Sequence, residues 1–290
     1  MSPGRPIARH PRCEARHAGS GPRRRPRAHP QEGCLGRQRE PLPTRVEGLP
    51  ELPADYGRVL DAGLASLHLT LPASARSAID GHVRLLLAWN DAINLTAIRD
   101  PAEAARLHVV DSLTAVALLR ARGIDRFVDI GSGGGLPGLP LSAALPADRA
   151  LLVESVGKKA RFLETAIAAT GLADRTAVVA ARAEDVARDR RDRERWPAVT
   201  ARAIGSLAEL VELAFPLLVP GGVLVAWKRG DIDDELVEAE SLADRVGGGR
   251  FDVVEAGVPE LAGHRLVVVE KLGPTGHAWP RDPAARRRSR

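Results

Sequence analysis

The sequence is poor in aromatic residues and in cysteine, and it has no long apolar run. Phe, Trp and Tyr make up 3% of its 290 residues, so a core has to be built mainly from Leu, Val, Ala and Ile. No stretch approaches the roughly 20 apolar residues of a membrane-spanning helix. The two cysteines, Cys13 and Cys34, both lie near the amino end and predict neither a disulfide framework nor a metal site. We therefore expect a cytoplasmic protein without a membrane segment.

Positive charge is concentrated at the two ends of the chain. Residues 1–50 carry a net charge of +7 and residues 281–290 carry +4, against +5 for the whole chain, so residues 51–280 are net acidic. Residues 1–50 are rich in Arg and Pro without apolar periodicity, which predicts a disordered tail. Residues 273–290 predict a second disordered, basic tail. Two alternatives remain open for the first segment: non-specific attraction of nucleic acid, or a start codon further downstream.

Between these tails the hydrophobic pattern changes once. Residues 51–124 have apolar residues at helical spacing and predict a helical region, with helices beginning near Pro53, Pro72 and Ala102. Residues 125–272 alternate strands with helices, which predicts a doubly wound α/β sheet. A short link joins the last two strands, so the final strand is expected to run antiparallel. The seven predicted strands are 127–130, 150–153, 177–180, 198–201, 222–226, 251–256 and 266–270.

The first predicted strand runs directly into a glycine-rich turn, with Gly131, Gly133 and Gly135 followed by Leu136. Such a turn lets the backbone approach a ligand closely at the carboxyl edge of a parallel sheet. Asp129 lies two residues before the first glycine. An acid there would repel pyrophosphate, which disfavours a nicotinamide dehydrogenase, and would suit a cationic or hydroxyl-bearing ligand. The pattern Asp-x-Gly-x-Gly-x-Gly is the S-adenosylmethionine (SAM) variant of this turn.

Acidic residues follow the next two predicted strands. Glu154 ends the second strand, where a carboxylate accepts hydrogen bonds from ribose hydroxyls. The alternative is a simple acid at the start of a helix, and the position directly after the strand favours the ribose role. After the third strand, a backbone N–H and a carboxylate of Arg182-Ala-Glu-Asp185 would read an adenine edge, although acids also begin helices.

Cationic residues end the fourth and fifth strands. A buried Arg is costly without a partner, so Arg202 predicts a nearby ligand, carboxylate or phosphate, with a structural ion pair as the alternative. The same reasoning applies less specifically to Lys228. His108 and Asp111 are three residues apart and share a helix face. They can form one site, and a capping or packing role is equally open.

Several catalytic patterns are missing. Ala201-Arg-Ala-Ile204 stands after the fourth strand, where amino-group methylation of adenine often uses Asp/Asn-Pro-Pro-aromatic. Methylation of pyrimidine C5 needs a cysteine nucleophile, and both cysteines lie in the tail. No His-x-x-x-His or Cys-x-x-Cys pattern predicts a metal. The remaining chemistry needs neither a covalent step nor a strong base.

These residues resemble the bacterial 16S rRNA (guanine-N7)-methyltransferase family, also known as the glucose-inhibited division protein B family. The resemblance runs from about residue 53 to 272, and it is most specific in Gly135-Leu-Pro-Gly-Leu-Pro140 and in the loop Asn94-Leu-Thr-Ala-Ile-Arg-Asp100. The other matching pieces are Trp89-Asn90, His108-Val-Val-Asp-Ser112, Asp129-Ile-Gly-Ser-Gly-Gly134, Glu154-Ser-Val-Gly-Lys-Lys159, Arg161-Phe-Leu163, Arg182-Ala-Glu184, Arg202-Ala203 and Lys228.

The resemblance implies a SAM-dependent methyltransferase fold, SAM as cofactor, and methyl transfer to N7 of a guanosine in 16S rRNA or the small ribosomal subunit. Guanine N7 has an in-plane lone pair at neutral pH, so the enzyme must mainly hold it in line with the methyl group. We expect a monomer without a metal. Acceptor-side candidates are Asn94, His108, Arg202 and Lys228; predicted cofactor-binding residues are Asp129, Gly131, Gly133, Gly135, Leu136, Glu154, Ala183, Glu184 and Arg202.

Because the body is net acidic, RNA contact is expected to depend on a local basic patch or on the tails. The candidates for the patch are Arg99, Arg106, Lys158, Lys159 and Arg161. Two rival functions remain open at this point. One is a SAM methyltransferase acting on another RNA, a protein or a small molecule, and the other is a non-catalytic protein that binds SAM or RNA.

Overall fold

The computed structural model describes residues 41–146 and 148–282. Within them a helical region precedes an α/β sheet, as the hydrophobic pattern predicts. Its first two helices are α1 (Ala54–Ser66) and α2 (Ala73–Ile93). Then follow α3 (Pro101–Ala104), a π-helical segment (Ala105–Val110), α4 (Asp111–Leu113) and α5 (Val116–Ala121). Asp100 begins α3 by accepting a hydrogen bond from the Glu103 N–H at 2.8 Å, a usual N-cap arrangement.

The sheet has seven strands within the described residues, in the order β3-β2-β1-β4-β5-β7-β6. Its strands are β1 (Arg126–Ile130), β2 (Arg149–Val153), β3 (Thr176–Val179), β4 (Trp196–Arg202), β5 (Leu218–Arg229), β6 (Gly249–Glu255) and β7 (His264–Lys271). The first five strands pair in parallel, and β7 pairs antiparallel with both β5 and β6. The predicted fold class, with its antiparallel last strand, is confirmed.

Helices cover both faces of this sheet, which is why its central strands are apolar throughout. They are α6 (Gly138–Ala144), α7 (Gly157–Ala169), α8 (Ala183–Arg188), α9 (Leu207–Ala214) and α10 (Asp233–Val246), with a 3-10 turn at Pro259–Leu261. One core contains α9, α10 and one face of the sheet, and a second joins the opposite face to α1 and the π-helical segment. Among the described residues no helix has the length and apolar composition needed to cross a bilayer.

Part of the predicted amino-terminal tail packs on the body. The indole N–H of Trp89 donates to the Pro43 carbonyl at 2.7 Å, and the Arg84 guanidinium donates to the Pro50 carbonyl at 2.9 Å. Leu42 and Val46 are partly buried against the core. The prediction of a disordered tail through residue 50 is therefore wrong for residues 41–50. Side chains of α2 donate hydrogen bonds to the carbonyls of this segment, and composition alone cannot reveal such partners. Residues 1–40 lie outside the described part of the chain.

The predicted carboxyl-terminal tail also begins too early. Arg193 donates to the carbonyls of Thr275, Gly276 and Trp279, and Arg281 forms an ion pair with the buried Glu212. Residues 273–282 are thus fixed to the body by side chains from distant elements. A local reading of Pro- and Gly-rich sequence cannot detect such partners. Residues 283–290 lie outside the described residues.

Candidate active site

The glycine turn follows β1 and forms part of the wall of a cavity. Gly131 and Gly133 have φ angles of +66° and +54°, which residues with a side chain rarely adopt. A Cβ atom on Gly131 would lie 2.7 Å from Ile204 Cγ2, so packing excludes a side chain there. A Cβ atom on Gly133 would meet only the Gly131 carbonyl oxygen, at 3.8 Å. Gly133 therefore presents its backbone to open space, as a close approach to a ligand requires.

Glu154 is held directly across from this turn. Its Oε2 accepts a hydrogen bond from the Gly133 N–H at 2.9 Å, and its Oε1 accepts one from the Val156 N–H at 2.7 Å. The carboxylate thereby links the end of β2 to the turn after β1. Each oxygen keeps a further lone pair, so the group can still accept hydrogen bonds from vicinal hydroxyls of a ligand.

Asp129 lies under the turn and does not line the cavity. Its Oδ1 accepts from the Thr200 hydroxyl at 2.8 Å, and its Oδ2 lies beside Gly138 at the start of α6. Burial raises the pKa of this carboxyl to about 6, against the opposing effect of the hydrogen bonds from Thr200 and Ser132. The structure thus places Asp129 as a support that joins β1, β4 and α6, away from the ligand contact that the sequence suggests.

A buried histidine from the helical region fixes the other side of the turn. His82, on α2, has its Nε2 2.7 Å from the Gly134 carbonyl oxygen. Burial lowers the pKa of this imidazole to about 4, so the ring is neutral near neutral pH and donates from Nε2. A Cβ on Gly135 would lie 2.6 Å from Leu139 Cδ1 and 3.1 Å from His82 Nε2. Gly135 is therefore required by packing inside the protein.

Asp111 connects the helical region to two strands of the sheet. Its Oδ2 accepts from the Arg202 guanidinium at 2.8 Å, and its Oδ1 lies 2.9 Å from His264 Nδ1. Its carbonyl oxygen accepts from the Trp227 indole N–H at 2.7 Å. Arg202 also donates to the Leu107 carbonyl at 3.2 Å. The partner that Arg202 was predicted to need is thus the Asp111 carboxylate, and the Arg202 side chain is half-buried.

The loop after α2 forms another side of the cavity. Asn94 itself is exposed and ends α2 with a φ of +51°. The buried Asn90 holds the loop by accepting from the N–H groups of Leu95 and Thr96 at 2.8 and 2.9 Å. The Thr96 hydroxyl lies 2.7 Å from His108 Nε2.

His108 is uncharged in this setting. Burial, and next the positive charge of Arg202, lower the pKa of its imidazole to about 4. Near neutral pH the Thr96 hydroxyl is therefore 2.7 Å from a neutral ring. A neutral His108 adds no positive charge beside Arg202, which leaves this wall of the cavity tolerant of a cationic ligand.

Lys228, near the end of β5, donates hydrogen bonds to other groups of the protein. Its ammonium group donates to Glu235 at 2.5 Å and to the Gly205 carbonyl at 3.3 Å. Burial alone would raise the pKa of Glu235, but hydrogen bonds from Lys228 and from the Leu207 N–H bring that pKa below its usual value. The pair fixes the loop after β4 against α10.

These groups surround one cavity of about 740 Å³ at the carboxyl edge of the sheet, a volume within the roughly 300–1,000 Å³ of ligand pockets. Of the residues predicted from the sequence, those that line it are Gly131, Gly133, Leu136, Glu154, His108, Arg202 and Lys228. Those that the structure places outside its lining are Asn94, Asp129, Gly135, Ala183 and Glu184.

The predicted basic candidates for RNA contact divide into two groups. Arg99 forms an ion pair with Asp91, and Arg106 donates to the Glu260 carbonyl at 3.0 Å. The cations near α7 have no ion-pair partner among the described residues; they are Lys158, Lys159 and Arg161. Lys159 lines the cavity, so the available positive charge lies at the α7 side of its mouth.

Sequence reasoning missed His82, Trp227 and His264. A signal for His264 was present, because an antiparallel last strand begins at the edge where parallel strands end. The first residue of β7 lies beside the end of β5, opposite Arg229. His82 gave no comparable signal, since a histidine inside an amphipathic helix does not indicate which loop it will meet.

A parallel sheet with a glycine turn after β1, an acidic residue after β2 and an antiparallel β7 defines the class of SAM-dependent methyltransferases. The family model of GidB, rRNA small subunit methyltransferase G, matches residues 76–256. The chain belongs to this family. Within the described residues, no group of three or more His, Cys, Asp or Glu side chains is placed to hold a metal ion.

Curated relatives match over most of their length. The ribosomal RNA small subunit methyltransferase G of Roseiflexus castenholzii (strain DSM 13941 / HLO8) is 46% identical over 196 residues, which cover 68% of this chain and 83% of that protein. The protein of the same description from Symbiobacterium thermophilum is 36% identical over 231 residues, which cover 78% of this chain and 94% of that protein.

The fold is shared with a solved O-methyltransferase. That enzyme, from Bacillus cereus in complex with SAH, is 17% identical with a TM-score of 0.51, and the match covers 74% of this chain and all of that one. At this identity the likeness concerns the fold alone.

Proposed function

We propose that this enzyme transfers the methyl group of SAM to N7 of a guanosine in the 16S rRNA of the small ribosomal subunit. The observation that supports N7 as the acceptor atom is that both carboxylates in the cavity lining are already hydrogen-bonded to other groups of the protein. Glu154 accepts from two backbone N–H groups, and Asp111 is bound by Arg202 and His264. An amino or hydroxyl acceptor must lose a proton and benefits from a carboxylate that is free to take it, whereas N7 of guanine reacts through a lone pair.

The residues of the cavity fit SAM on the side of β1 and β2. Gly131 and Gly133 offer a backbone surface without side chains, and Glu154 offers carboxylate oxygens at the end of β2. Leu136 adds an apolar contact at the same wall. Ala183 and Glu184, at the start of α8, are proposed to extend this side toward the adenine. When bound, SAM supplies an electrophilic methyl group.

The acceptor side then comprises the ends of β4, β5 and β7 together with the helical region. The sheet reverses its order of strands between β1 and β4, and ligands of open α/β sheets bind at such a point. Arg202, Trp227 and His108 line this half. Their role is to hold the guanine in line and exclude water. The neutral state of His108 avoids repulsion of the positive charge that the methylated base acquires.

Contact with the RNA backbone is proposed for the cations beside α7. The side chains of Lys158, Lys159 and Arg161 have no ion-pair partner among the described residues, and Lys159 lines the cavity. Phosphate contacts of this kind position a nucleic acid and do not read its sequence.

Transfer of labelled methyl groups tests the proposal. Purified enzyme is incubated with methyl-labelled SAM and small ribosomal subunits, or their 16S rRNA, from cells that lack this protein. We expect label in one guanosine, with chain scission there after reduction and aniline treatment, a reaction of N7-methylguanosine. Label confined to protein or metabolites, or rRNA label that resists scission, would contradict the assignment. A folded Arg202→Ala variant is expected to transfer no label, which separates catalysis from binding.

We also propose that the enzyme acts as a cytoplasmic monomer. Light scattering during turnover checks this, and an active species of twice the mass would contradict it.

A further inference from the structure

His264 occupies a position that the proposed chemistry does not yet use. It is the first residue of β7, it lines the cavity, and its side chain is 14% exposed. Its Nδ1 lies 2.9 Å from Asp111 Oδ1, while the other oxygen of that carboxylate is bound by Arg202. The imidazole is therefore fixed in orientation by a carboxylate that is itself fixed.

The hydrogen bond to Asp111 determines what the other ring nitrogen can do. An ionised carboxylate only accepts, so Nδ1 of His264 must carry the hydrogen. In the neutral ring Nε2 is then a hydrogen-bond acceptor. No described residue donates to Nε2 of His264. A half-buried acceptor held in one orientation at a cavity wall is suited to a ligand that presents an N–H group.

The position of β7 indicates which part of the ligand this acceptor faces. In the sheet order β1-β4-β5-β7, β7 is two strands beyond β4, so the two strand ends lie about 10 Å apart. That separation is comparable with the length of a purine plus one hydrogen bond. With N7 directed at the methyl group beside β1 and β4, the opposite end of guanine points along the cavity toward β7. The hydrogen-bond donor of guanine farthest from N7 is its exocyclic amino group.

We propose that His264, oriented by Asp111, is a specificity-determining residue whose Nε2 accepts a hydrogen bond from the exocyclic amino group of the target guanine. The inference rests on the proposed N7 methylation of guanosine. Adenine has no amino group at that position, so the contact would favour guanine over adenine by leaving the acceptor unpaired with the wrong base.

The test replaces the amino group in the RNA and the imidazole in the protein. Methyl transfer is measured on RNA that carries guanosine or inosine at the mapped target, since inosine keeps N7 and lacks only the amino group. We expect kcat/KM of the intact enzyme to fall at least about fivefold with inosine. His264→Ala should lower kcat/KM for guanosine RNA by a similar factor and treat both RNAs alike. His264→Gln, which can offer an amide oxygen, should regain part of the preference.

A neighbour on the same strand provides the matched control. Arg265 is paired with Glu255 and does not line the cavity, so Arg265→Ala should keep both the activity and the preference for guanosine. An intact enzyme that methylates both RNAs equally, or a His264→Ala variant that keeps the full preference, would overturn this inference and leave the proposed function standing. Failure of the intact enzyme to methylate guanosine RNA would overturn the proposed function and the inference together.

Discussion

At Gly133 the backbone has a φ of +54°, and a Cβ atom would have nothing nearer than the Gly131 carbonyl oxygen at 3.8 Å. A valine there would place its side chain in the part of the cavity assigned to SAM. We expect Gly133→Val to weaken SAM binding at least about tenfold, and the positive φ to cost about 1–2 kcal/mol of stability. Isothermal calorimetry with SAM measures the first effect and urea unfolding the second.

Gly171 provides the control for backbone strain. It has a φ of +70° with no atom within 4 Å of an added Cβ, and it does not line the cavity. Gly171→Val should therefore lose comparable stability and bind SAM normally. Equal SAM affinity in both variants would show that Gly133 does not face the cofactor.

His82 makes the stability of the fold depend on pH. Burial lowers the pKa of its imidazole from 6.5 to about 4, so between these values the unfolded chain binds a proton that the folded chain does not. Stability is thus lost as pH falls from about 6.5 to about 4, by up to about 1.4 kcal/mol per pH unit. His82→Gln retains a donor for the Gly134 carbonyl and cannot titrate, so its stability should fall less steeply.

Urea unfolding of the two proteins across this pH range measures the difference in slope. The contributions of His108 and Asp129, whose pKa values are also shifted, are present in both proteins and cancel. Parallel curves for the two proteins would mean that His82 is not buried in its neutral form.

Sequence reasoning located the site at the ends of strands but did not determine which way each side chain points. Glu154 directly follows β2, Arg202 ends β4, and both line the cavity. Asp129 was assigned to the ligand because it precedes the glycines, yet it points under the turn toward Thr200. Side chains alternate between the two faces of a strand, and only the packing of α2 and α6 on one face determines which of them meets the cavity.

At the scale of elements, the strands could be predicted because central parallel strands are apolar on both faces. The exceptions have physical causes. β5 extends from Leu218 to Arg229, beyond the predicted strand 222–226, because its pairing with β4 continues past a register shift near Trp196. The short helix α8 follows β3 where the sequence indicated only acidic residues.

The predicted helix near 102–122 is interrupted by a π-helical segment, Ala105–Val110. Such segments are rare and are frequent at functional sites. Here the Leu107 carbonyl, within the segment, accepts from Arg202, while His108 and Asp111 still share the cavity wall as their spacing predicts. Periodicity cannot signal this, because the stabilising partner lies on β4, far away in sequence.

For the molecule as a whole, the extent of the folded body differs from the prediction, and truncation tests where it begins. Residues 1–40 have no apolar periodicity, so a protein beginning at residue 41 should unfold at the same urea concentration as the full chain. A protein beginning at residue 51 loses the packing of Leu42 and Val46 and the hydrogen bond from Trp89 to Pro43. We expect this second truncation to cost about 2–4 kcal/mol.

Trp89→Phe separates specific docking from a general effect of chain length. The substitution removes the indole N–H that donates to Pro43 and keeps a ring beside Phe162, whose centroid lies 5.5 Å away. In the protein that begins at residue 41, it should cost about 1 kcal/mol more than in the protein that begins at residue 51. Urea unfolding of the four proteins gives this coupling energy. An equal cost of Trp89→Phe in both backgrounds would show that residues 41–50 do not dock on α2 through this bond.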